Sequence, residues 1–261
     1  MAPIGVFDSG VGGLTVAREI SRQLPYENIV YFGDTARVPY GSKSQNTIIR
    51  FSEQIIRFLR TKQVKAIVIA CNTASALAVK DEFDLPIIGV VIPGARAAVE
   101  ATTNGKVGVV GTEATVQSGM YTKVIQGMNP KIEVIEKACP LFVPLVEEGF
   151  KEHIVTREII EYYLESMRNT DIDAMILGCT HYPLFREALE RYFEGGVKII
   201  DSAEACAESA RAFLDENSIA ASLAKTGNVR YYFTDLPSDF NGGLRRFLGS
   251  APSYMEKAQL E

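Results

Sequence analysis

Two segments of the chain run from an apolar stretch directly into a cysteine. KAIVIACNT at 65–73 leads to Cys71, and DAMILGCTH at 173–181 leads to Cys179. A thiolate can remove a proton and a thiol can return one, so two cysteines in matched settings could serve one site as base and acid. If the segments faced each other across a bound molecule, the thiols would approach it from opposite sides. This is the geometry needed to invert a carbon centre.

Of the two other cysteines and the two histidines, only His181 lies in one of these two segments. A lone cysteine is most often a small buried apolar residue, and we predict that role for Cys139 and Cys206. His181 lies two residues after Cys179, where an imidazole could assist the thiol. His153 stands in a charged stretch at a predicted helix start and is expected to be an ordinary exposed residue.

Predicted strands and helices alternate along the chain and carry these residues. Short runs rich in Val and Ile alternate with longer amphipathic stretches, which is typical of parallel strands joined by crossover helices and predicts an α/β fold. We predict strands near 4–7, 29–32, 66–70, 87–91, 106–110, 132–135, 173–177, 197–200 and 229–233.

One helix and one break are also predicted. Apolar residues recur at steps of three and four over 44–62, which indicates an amphipathic helix, and the preceding Ser-Lys-Ser offers an N-cap. Pro93-Gly94 comes just after the fourth predicted strand and predicts an interruption where the chain crosses into a second lobe.

A weak internal repeat supports two related lobes. IGVFDSGVGG at 4–13 is similar to VGVVGTEAT at 107–115, and the two cysteine segments are similar to each other. Open parallel sheets bind ligands at the carboxyl ends of their strands, where helix N-termini favour anions. Polar groups follow four of the predicted strands, and they suit a small carboxylate ligand: Asp8 with Ser9, Cys71 to Thr73, Thr112 with Thr115, and Cys179 to His181.

The role of Asp8 is open at this stage. It could cap the helix that follows, polarise a neighbouring thiol, or do both. The glycines after it, in DSGVGG, invite a dinucleotide interpretation, but GxGxxG is absent and the acid precedes the glycines.

Composition excludes several classes of function. The chain has 261 residues, and 47% of them are hydrophobic, enough for one large α/β core or for two lobes of about 100–150 residues each. A net charge of −5 argues against nucleic acid and anionic membranes as partners. Four cysteines without a secretory signal indicate free thiols in a reducing cytoplasm. No apolar run approaches the roughly 18–20 residues of a membrane span, so we expect a soluble protein.

Five motifs in order along the chain are more specific than any of these patterns. The motifs are DSGVGGL at 8–14, GDTARVPYG at 33–41, ACNTAS at 70–75, GVVGTEAT at 108–115 and GCTHYP at 178–183. With them, the chain resembles the cofactor-independent aspartate/glutamate racemase family, particularly its glutamate-specific members.

The resemblance implies a fold and a set of roles. Two pseudosymmetric α/β lobes would hold the site in the cleft between them, with residues 1–94 and 208–261 in the first lobe and 95–207 in the second. Cys71 and Cys179 match the family's proton-transferring thiols, the first acting on D-glutamate and the second on L-glutamate. Asp8, His181 and Glu147 match the groups associated with the thiols, although Glu148 adjoins Glu147 and a shift of one residue would exchange them.

The resemblance also implies a substrate site and a biological setting. The positions that match substrate-binding residues are Asp8, Ser9, Pro39, Tyr40, Gly41, Asn72, Thr73, Thr112, Thr115, Thr180 and His181. The implied activity is racemisation of L-glutamate to D-glutamate for peptidoglycan, in the cytoplasm, by a homodimer that needs no cofactor or metal. Because the first predicted strand begins at residue 4, we expect the activator-responsive N-terminal extension of some family members to be missing.

Three other functions stay open. An aspartate or hydantoin racemase, or a decarboxylase, could use the same framework. A non-catalytic amino-acid-binding protein could use the same cleft without exchanging the α-proton. A thiol redox or zinc protein is disfavoured, because the sequence has no CxxC pair and no His/Cys ligand cluster.

Overall fold

The computed structural model describes residues 2–78, 83–222, 225–236, 240–250, 252 and 254–260, with side chains omitted for 240–243. Within these residues, strands and helices alternate as the sequence predicts. The first part of the chain contains β1 (Ile4–Asp8), α1 (Leu14–Gln23), β2 (Ile29–Gly33), α2 (Gln45–Thr61), β3 (Ala66–Ile69), α3 (Asn72–Leu77), β4 (Ile87–Gly89) and α4 (Val91–Ala101).

The remaining elements follow the same alternation. The middle of the chain contains β5 (Lys106–Gly111), α5 (Glu113–Gln117), α6 (Met120–Met128), β6 (Glu133–Ala138), α7 (Phe142–Glu147), α8 (Ile154–Arg168), β7 (Ala174–Gly178), a 3₁₀ helix (Tyr182–Phe185), α9 (Arg186–Tyr192), β8 (Lys198–Asp201) and α10 (Ser202–Glu216). The last elements are β9 (Val229–Phe233), α11 (Phe240–Leu248) and β10 (Met255–Lys257).

The strands form two parallel sheets, which confirms the predicted α/β class. The first sheet has the order β10-β9-β2-β1-β3-β4, and the second has the order β6-β5-β7-β8. The chain returns to the first sheet after β8, because β9 pairs with β2. All nine predicted strands are present, and β10 is an additional edge strand paired with β9.

The strand order creates a topological switch point in each sheet. β1 pairs with β2 on one side and β3 on the other, and β5 pairs in the same way with β6 and β7. Loops that leave such strands in opposite directions open a crevice at the carboxyl edge of the sheet. Cys71 follows β3 and Cys179 follows β7, so the two thiols occupy equivalent places in the two sheets.

Helix α2 confirms the amphipathic prediction for 44–62. Ile48, Ile55 and Leu59 are fully buried in an apolar cluster that also contains residues of β1, β2 and β3. Ser44 occupies the N-cap position, but its hydroxyl bonds to Thr47 Oγ1 at 3.0 Å and makes no capping bond to a backbone N–H.

The predicted break at Pro93-Gly94 is wrong. Both residues lie in the first turn of α4, where proline is tolerated because its missing N–H has no partner within the helix. The chain therefore crosses between the sheets along a continuous helix. The predicted lobe boundaries at 94 and 207 fall inside α4 and α10 and stay predictions.

We call the first sheet with its helices the first half of the molecule and the second sheet with its helices the second half. One apolar cluster joins the two halves. It includes Leu14 and Ile20 of α1, Ala207 of α10 and Leu177 of β7. Packed side chains of α1, α10 and β7 thus connect the two sheets and their helices. None of the helices in the described ranges is long and apolar enough to cross a membrane.

Candidate active site

A cavity of about 50 Å³ lies where the carboxyl edges of the two sheets meet. The predicted site residues line it, except Asp8 and Thr115, which are fully buried. Its lining is Ser9, Gly10, Val11, Val38, Pro39, Tyr40, Gly41, Cys71, Asn72, Thr73, Thr112, Val143, Glu147, Cys179, Thr180 and His181. Larger cavities of about 400 and 430 Å³ elsewhere contain neither thiol.

Cys71 stands at the N-cap position of α3. Its sulfur accepts a hydrogen bond from Ala74 N at 3.5 Å, and its thiol donates to Ser9 Oγ at 3.6 Å. Burial raises the pKa of Cys71 to about 12, and the nearby charges of Asp8 and Cys179 act in the same direction. In this arrangement Cys71 is a protonated thiol at neutral pH, suited to donating a proton.

Asp8 is buried at the end of β1 and does not cap α1. The N-cap of α1 is Gly13, and no side chain caps that helix. Asp8 Oδ2 instead accepts a hydrogen bond from Gly10 N at 3.0 Å. Burial raises the pKa of Asp8, while the backbone N–H groups of Gly13 and Gly10 and the charge of His181 oppose that rise.

Cys179 has an imidazole beside it instead of a helix N-terminus. Its sulfur lies 3.9 Å from His181 Nδ1, and His181 Nε2 lies 3.1 Å from Glu147 Oε1. Burial lowers the pKa of His181, but the hydrogen bonds and charges of Cys179 and Glu147 outweigh it and raise this pKa to about 10. His181 is then an imidazolium at neutral pH, and its positive charge lies beside the sulfur of Cys179.

The segment after His181 differs from the one after Cys71, which enters α3 directly. A 3₁₀ helix of four residues, Tyr182–Phe185, begins there, and Pro183 occupies its first turn. The ring of Phe247 meets His181 edge to face, with centroids 5.2 Å apart. The imidazole is therefore held by an aromatic contact on one side and by Glu147 on another.

Three threonine hydroxyls from both halves form a triangle next to the thiols. Thr73 Oγ1 lies 3.0 Å from Thr112 Oγ1 and 3.2 Å from Thr115 Oγ1, and the last two are 3.0 Å apart. Thr112 Oγ1 also accepts a hydrogen bond from Thr115 N at 3.3 Å. Because a hydroxyl both donates and accepts, those of Thr73 and Thr112, which line the cavity, can be redirected to a ligand. The triangle could thus donate to a carboxylate.

The loop after β2 covers another side of the cavity. The Tyr40 hydroxyl donates to Asp34 Oδ2, and Arg37 Nε donates to the same oxygen at 2.6 Å. The hydroxyl of Tyr40 is therefore engaged away from the cavity. Gly41 is tied to the second half, because its carbonyl accepts from Ala114 N at 3.1 Å.

The loop after β1 packs closely against the Cys179 segment at Gly12. A Cβ there would lie 2.3 Å from Thr180 Oγ1 and 2.4 Å from His181 Nδ1, distances that no side chain allows. Sequence reasoning placed no role on Gly12, although it belongs to the DSGVGGL motif. The glycine permits the loop after β1 to close over the Cys179 side.

Sequence reasoning missed the apolar part of the cavity wall. Val11, Val38 and Val143 line the cavity beside Gly10. Valines carry no chemical signal by themselves; Val38 could have been found from its place in VPYG, whereas Val143 lies in no quoted motif. In the described part of the chain, no three His, Cys, Asp or Glu side chains are grouped so as to hold a metal ion.

Comparisons with known proteins agree on one family. A family model described as Asp/Glu/Hydantoin racemase matches residues 4–210. The chain is similar to a glutamate racemase of Geobacter metallireducens, with 44% identity over 261 residues, covering 99% of this chain and 97% of the relative.

Two solved structures are similar over nearly their whole length. A glutamate racemase isoform from Bacillus anthracis superimposes with a TM-score of 0.95 at 38% identity, covering 99% of this chain and 98% of that one. A glutamate racemase from Francisella tularensis, in complex with D-glutamate, superimposes with a TM-score of 0.93 at 39% identity, covering 100% and 98%.

Proposed function

Because the chain belongs to the Asp/Glu/hydantoin racemase family and is an isomerase, we propose that it interconverts L- and D-glutamate by proton transfer between two cysteines. The observation that carries this proposal is the placement of Cys71 and Cys179 in the lining of one cavity, each at the end of an equivalent strand. The similarity to an enzyme solved with D-glutamate supports the choice of substrate.

In the L-to-D direction, the thiolate of Cys179 removes the α-proton. The Cα–H bond breaks, the proton passes to sulfur, and the electron pair is delocalised into the α-carboxylate. Cys71 then gives its thiol proton to the opposite face, which leaves it as the thiolate. In the D-to-L direction the same steps run in reverse, starting from a Cys71 thiolate and a Cys179 thiol.

The charges around the thiols fit the state that starts the L-to-D direction, with Cys179 as the thiolate and Cys71 as the thiol. The imidazolium of His181 stabilises a negative charge on Cys179, and burial with the Asp8 carboxylate keeps Cys71 protonated. The second state requires a proton to move from the Cys71 side to the Cys179 side. Asp8, whose own pKa is raised by burial, could carry that proton and then assist the thiolate of Cys71.

The α-proton of an amino acid is a weak acid, so the site must also stabilise negative charge on the substrate. The hydroxyls of Thr73 and Thr112 and the amide of Asn72 line the cavity and can donate to carboxylates, and Thr115 Oγ1 bonds to both of these hydroxyls. Such donors act more strongly in a small cavity that excludes water. No lysine or arginine is needed beside the cavity for this role.

The biological setting belongs to the same proposal. We infer that the product D-glutamate supplies peptidoglycan synthesis and cell-wall formation, and that the enzyme acts in the cytoplasm as a homodimer without a cofactor. The support for this setting is the family resemblance of the whole chain.

The direct test is turnover without added cofactor. Purified protein incubated with L-glutamate should convert it to an equal mixture of the enantiomers, measured by chiral chromatography, and L-aspartate should react far more slowly. Absence of D-glutamate would contradict the proposal. Binding without exchange of the α-proton would identify an amino-acid-binding protein, and preferred turnover of aspartate would assign a different member of the family.

A further inference from the structure

Tyr121 connects the two halves of the molecule through a single buried hydrogen bond. It lies in α6, against the second sheet, and is fully buried. Its hydroxyl donates to Asn72 Oδ1 at 2.6 Å. Asn72 directly follows Cys71 and lines the cavity, whereas Tyr121 does not reach it.

The ring of Tyr121 also contacts the other thiol segment. A Cβ at Gly178 would lie 3.2 Å from Tyr121 Cε2, so the ring packs against the backbone just before Cys179. On another side, a Cβ at Gly94 would lie 3.5 Å from the Tyr121 hydroxyl oxygen. The same side chain therefore touches the residue after one thiol and the residue before the other.

The amide nitrogen of Asn72 is left without a partner. Asn72 is only 2% exposed, and its Nδ2 is buried with no hydrogen bond among the described residues. Buried side-chain nitrogens are nearly always bonded, so an unpaired one beside a ligand cavity indicates a missing acceptor. A carboxylate is such an acceptor.

We propose that Tyr121 is a positioning residue that fixes the Asn72 carboxamide with its N–H groups toward the cavity. The inference rests on the proposed function, because it assigns Nδ2 to a substrate carboxylate. With the opposite orientation, Oδ1 would face that carboxylate and repel it. Burial raises the pKa of Tyr121 well above its usual value, so the hydroxyl is a donor at every pH at which the enzyme works.

The test begins with Tyr121→Phe, which keeps the ring and removes the donor. The amide can then rotate, and its oxygen loses its buried partner. We expect KM for both enantiomers of glutamate to rise about tenfold, the size of effect that an unsatisfied buried group produces, with kcat nearly unchanged. In an Asn72→Ala background, Tyr121→Phe should raise KM no further, because the group that it positions is gone.

A matched control separates positioning from general loss of stability. Tyr163 is another buried tyrosine of the second half, and its hydroxyl oxygen accepts a bond from Leu141 N at 3.4 Å, outside the cavity lining. Tyr163→Phe should leave KM unchanged even if it lowers the melting temperature.

Asn72→Asp keeps the inference testable if Tyr121→Phe does not fold. Aspartate has the shape of asparagine but presents an oxygen in place of Nδ2, so KM should rise more than in Asn72→Ala. An unchanged KM in Tyr121→Phe, or tighter binding by Asn72→Asp than by Asn72→Ala, would overturn the inference alone. A wild-type protein that neither binds nor converts glutamate would overturn the proposed function as well.

Discussion

The two thiol sides of the cavity have the same place in the fold and opposite electrostatic settings. Cys71 sits at a helix N-cap, near Ser9 and a buried Asp8, and its pKa is raised to about 12. Cys179 has no helix directly after it and lies beside His181, whose pKa is raised to about 10. Burial keeps a proton on Cys71, whereas the sulfur of Cys179 lies 3.9 Å from a cationic imidazolium.

Because of this difference, two similar sheets form a site that is not symmetric. Two-base racemisation begins with one thiolate and one thiol, so two identical settings would favour two thiols or two thiolates, neither of which is productive. Parallel strands place the sulfurs, and a few neighbouring residues set their protonation. Removing either thiol tests the two-base mechanism, and changing the groups around one thiol tests what distinguishes the two sides.

The largest expected effect comes from removing a thiol. Cys71→Ala and Cys179→Ala should each lower racemisation by at least about 10³-fold, because one proton transfer has no side chain to perform it. Glutamate binding should be largely kept, since the donors to the carboxylates are unchanged; calorimetry measures it. Appreciable turnover by either variant would break the two-thiol account.

A smaller effect is expected from His181→Asn, which alters only the Cys179 side. Loss of the imidazolium should lower kcat/KM by about 100-fold. The fall must be equal in both directions, because the equilibrium constant between enantiomers is one. The α-deuterium isotope effect on kcat/KM shows which of the two proton transfers is slowed. It should increase for L-glutamate, whose α-proton Cys179 removes, and decrease for D-glutamate, whose α-proton Cys71 removes. An equal change for both enantiomers would show that His181 does not serve Cys179 specifically.

The smallest expected effect is a shift of the pH profile. The raised pKa of His181 means that the imidazolium persists through neutral pH and is lost as the pH rises through about 10, so kcat/KM should fall there. Its contribution to folding stability is complete below its unfolded pKa near 6.5 and is lost by about pH 10. Glu147 is half exposed, so Glu147→Gln should move the basic limb of activity down by only roughly half a pH unit.

Glu148→Gln is the matched control for that shift. Glu148 adjoins Glu147 and is exposed, and it is not part of the cavity lining. Its removal should leave the basic limb where it is. An equal shift in both variants would mean that the effect comes from net charge and not from the bond between Glu147 and His181.

Most of the fold could be predicted because it is encoded locally. Runs such as IVYF at 29–32 and AIVIA at 66–70 form buried parallel strands in both cases. The strand β10 could not be predicted, since its sequence is Met-Glu-Lys and it is stabilised by pairing at the sheet edge. Pro93-Gly94 was misread because the same two residues suit a loop or the first turn of a helix.

The polar residues that line the cavity could be predicted, but the residues that hold them in place could not. Cys71, Cys179 and His181 follow strands, so strand prediction places them at one edge. Tyr121 could not be predicted, because its bond to Asn72 joins residues far apart in sequence. The short 3₁₀ helix after His181 also could not be predicted, because the polar residues before it resemble those that precede a regular helix elsewhere in the chain.

We propose that two different groups transfer protons on the two faces of the substrate. The most direct measurement is the conversion of L-glutamate in deuterium oxide, followed at early times by mass spectrometry after separation of the enantiomers. Newly formed D-glutamate should carry deuterium at Cα, delivered by Cys71, while the remaining L-glutamate should keep its protium. D-glutamate that keeps protium, or L-glutamate that gains deuterium as fast as the product does, would contradict it.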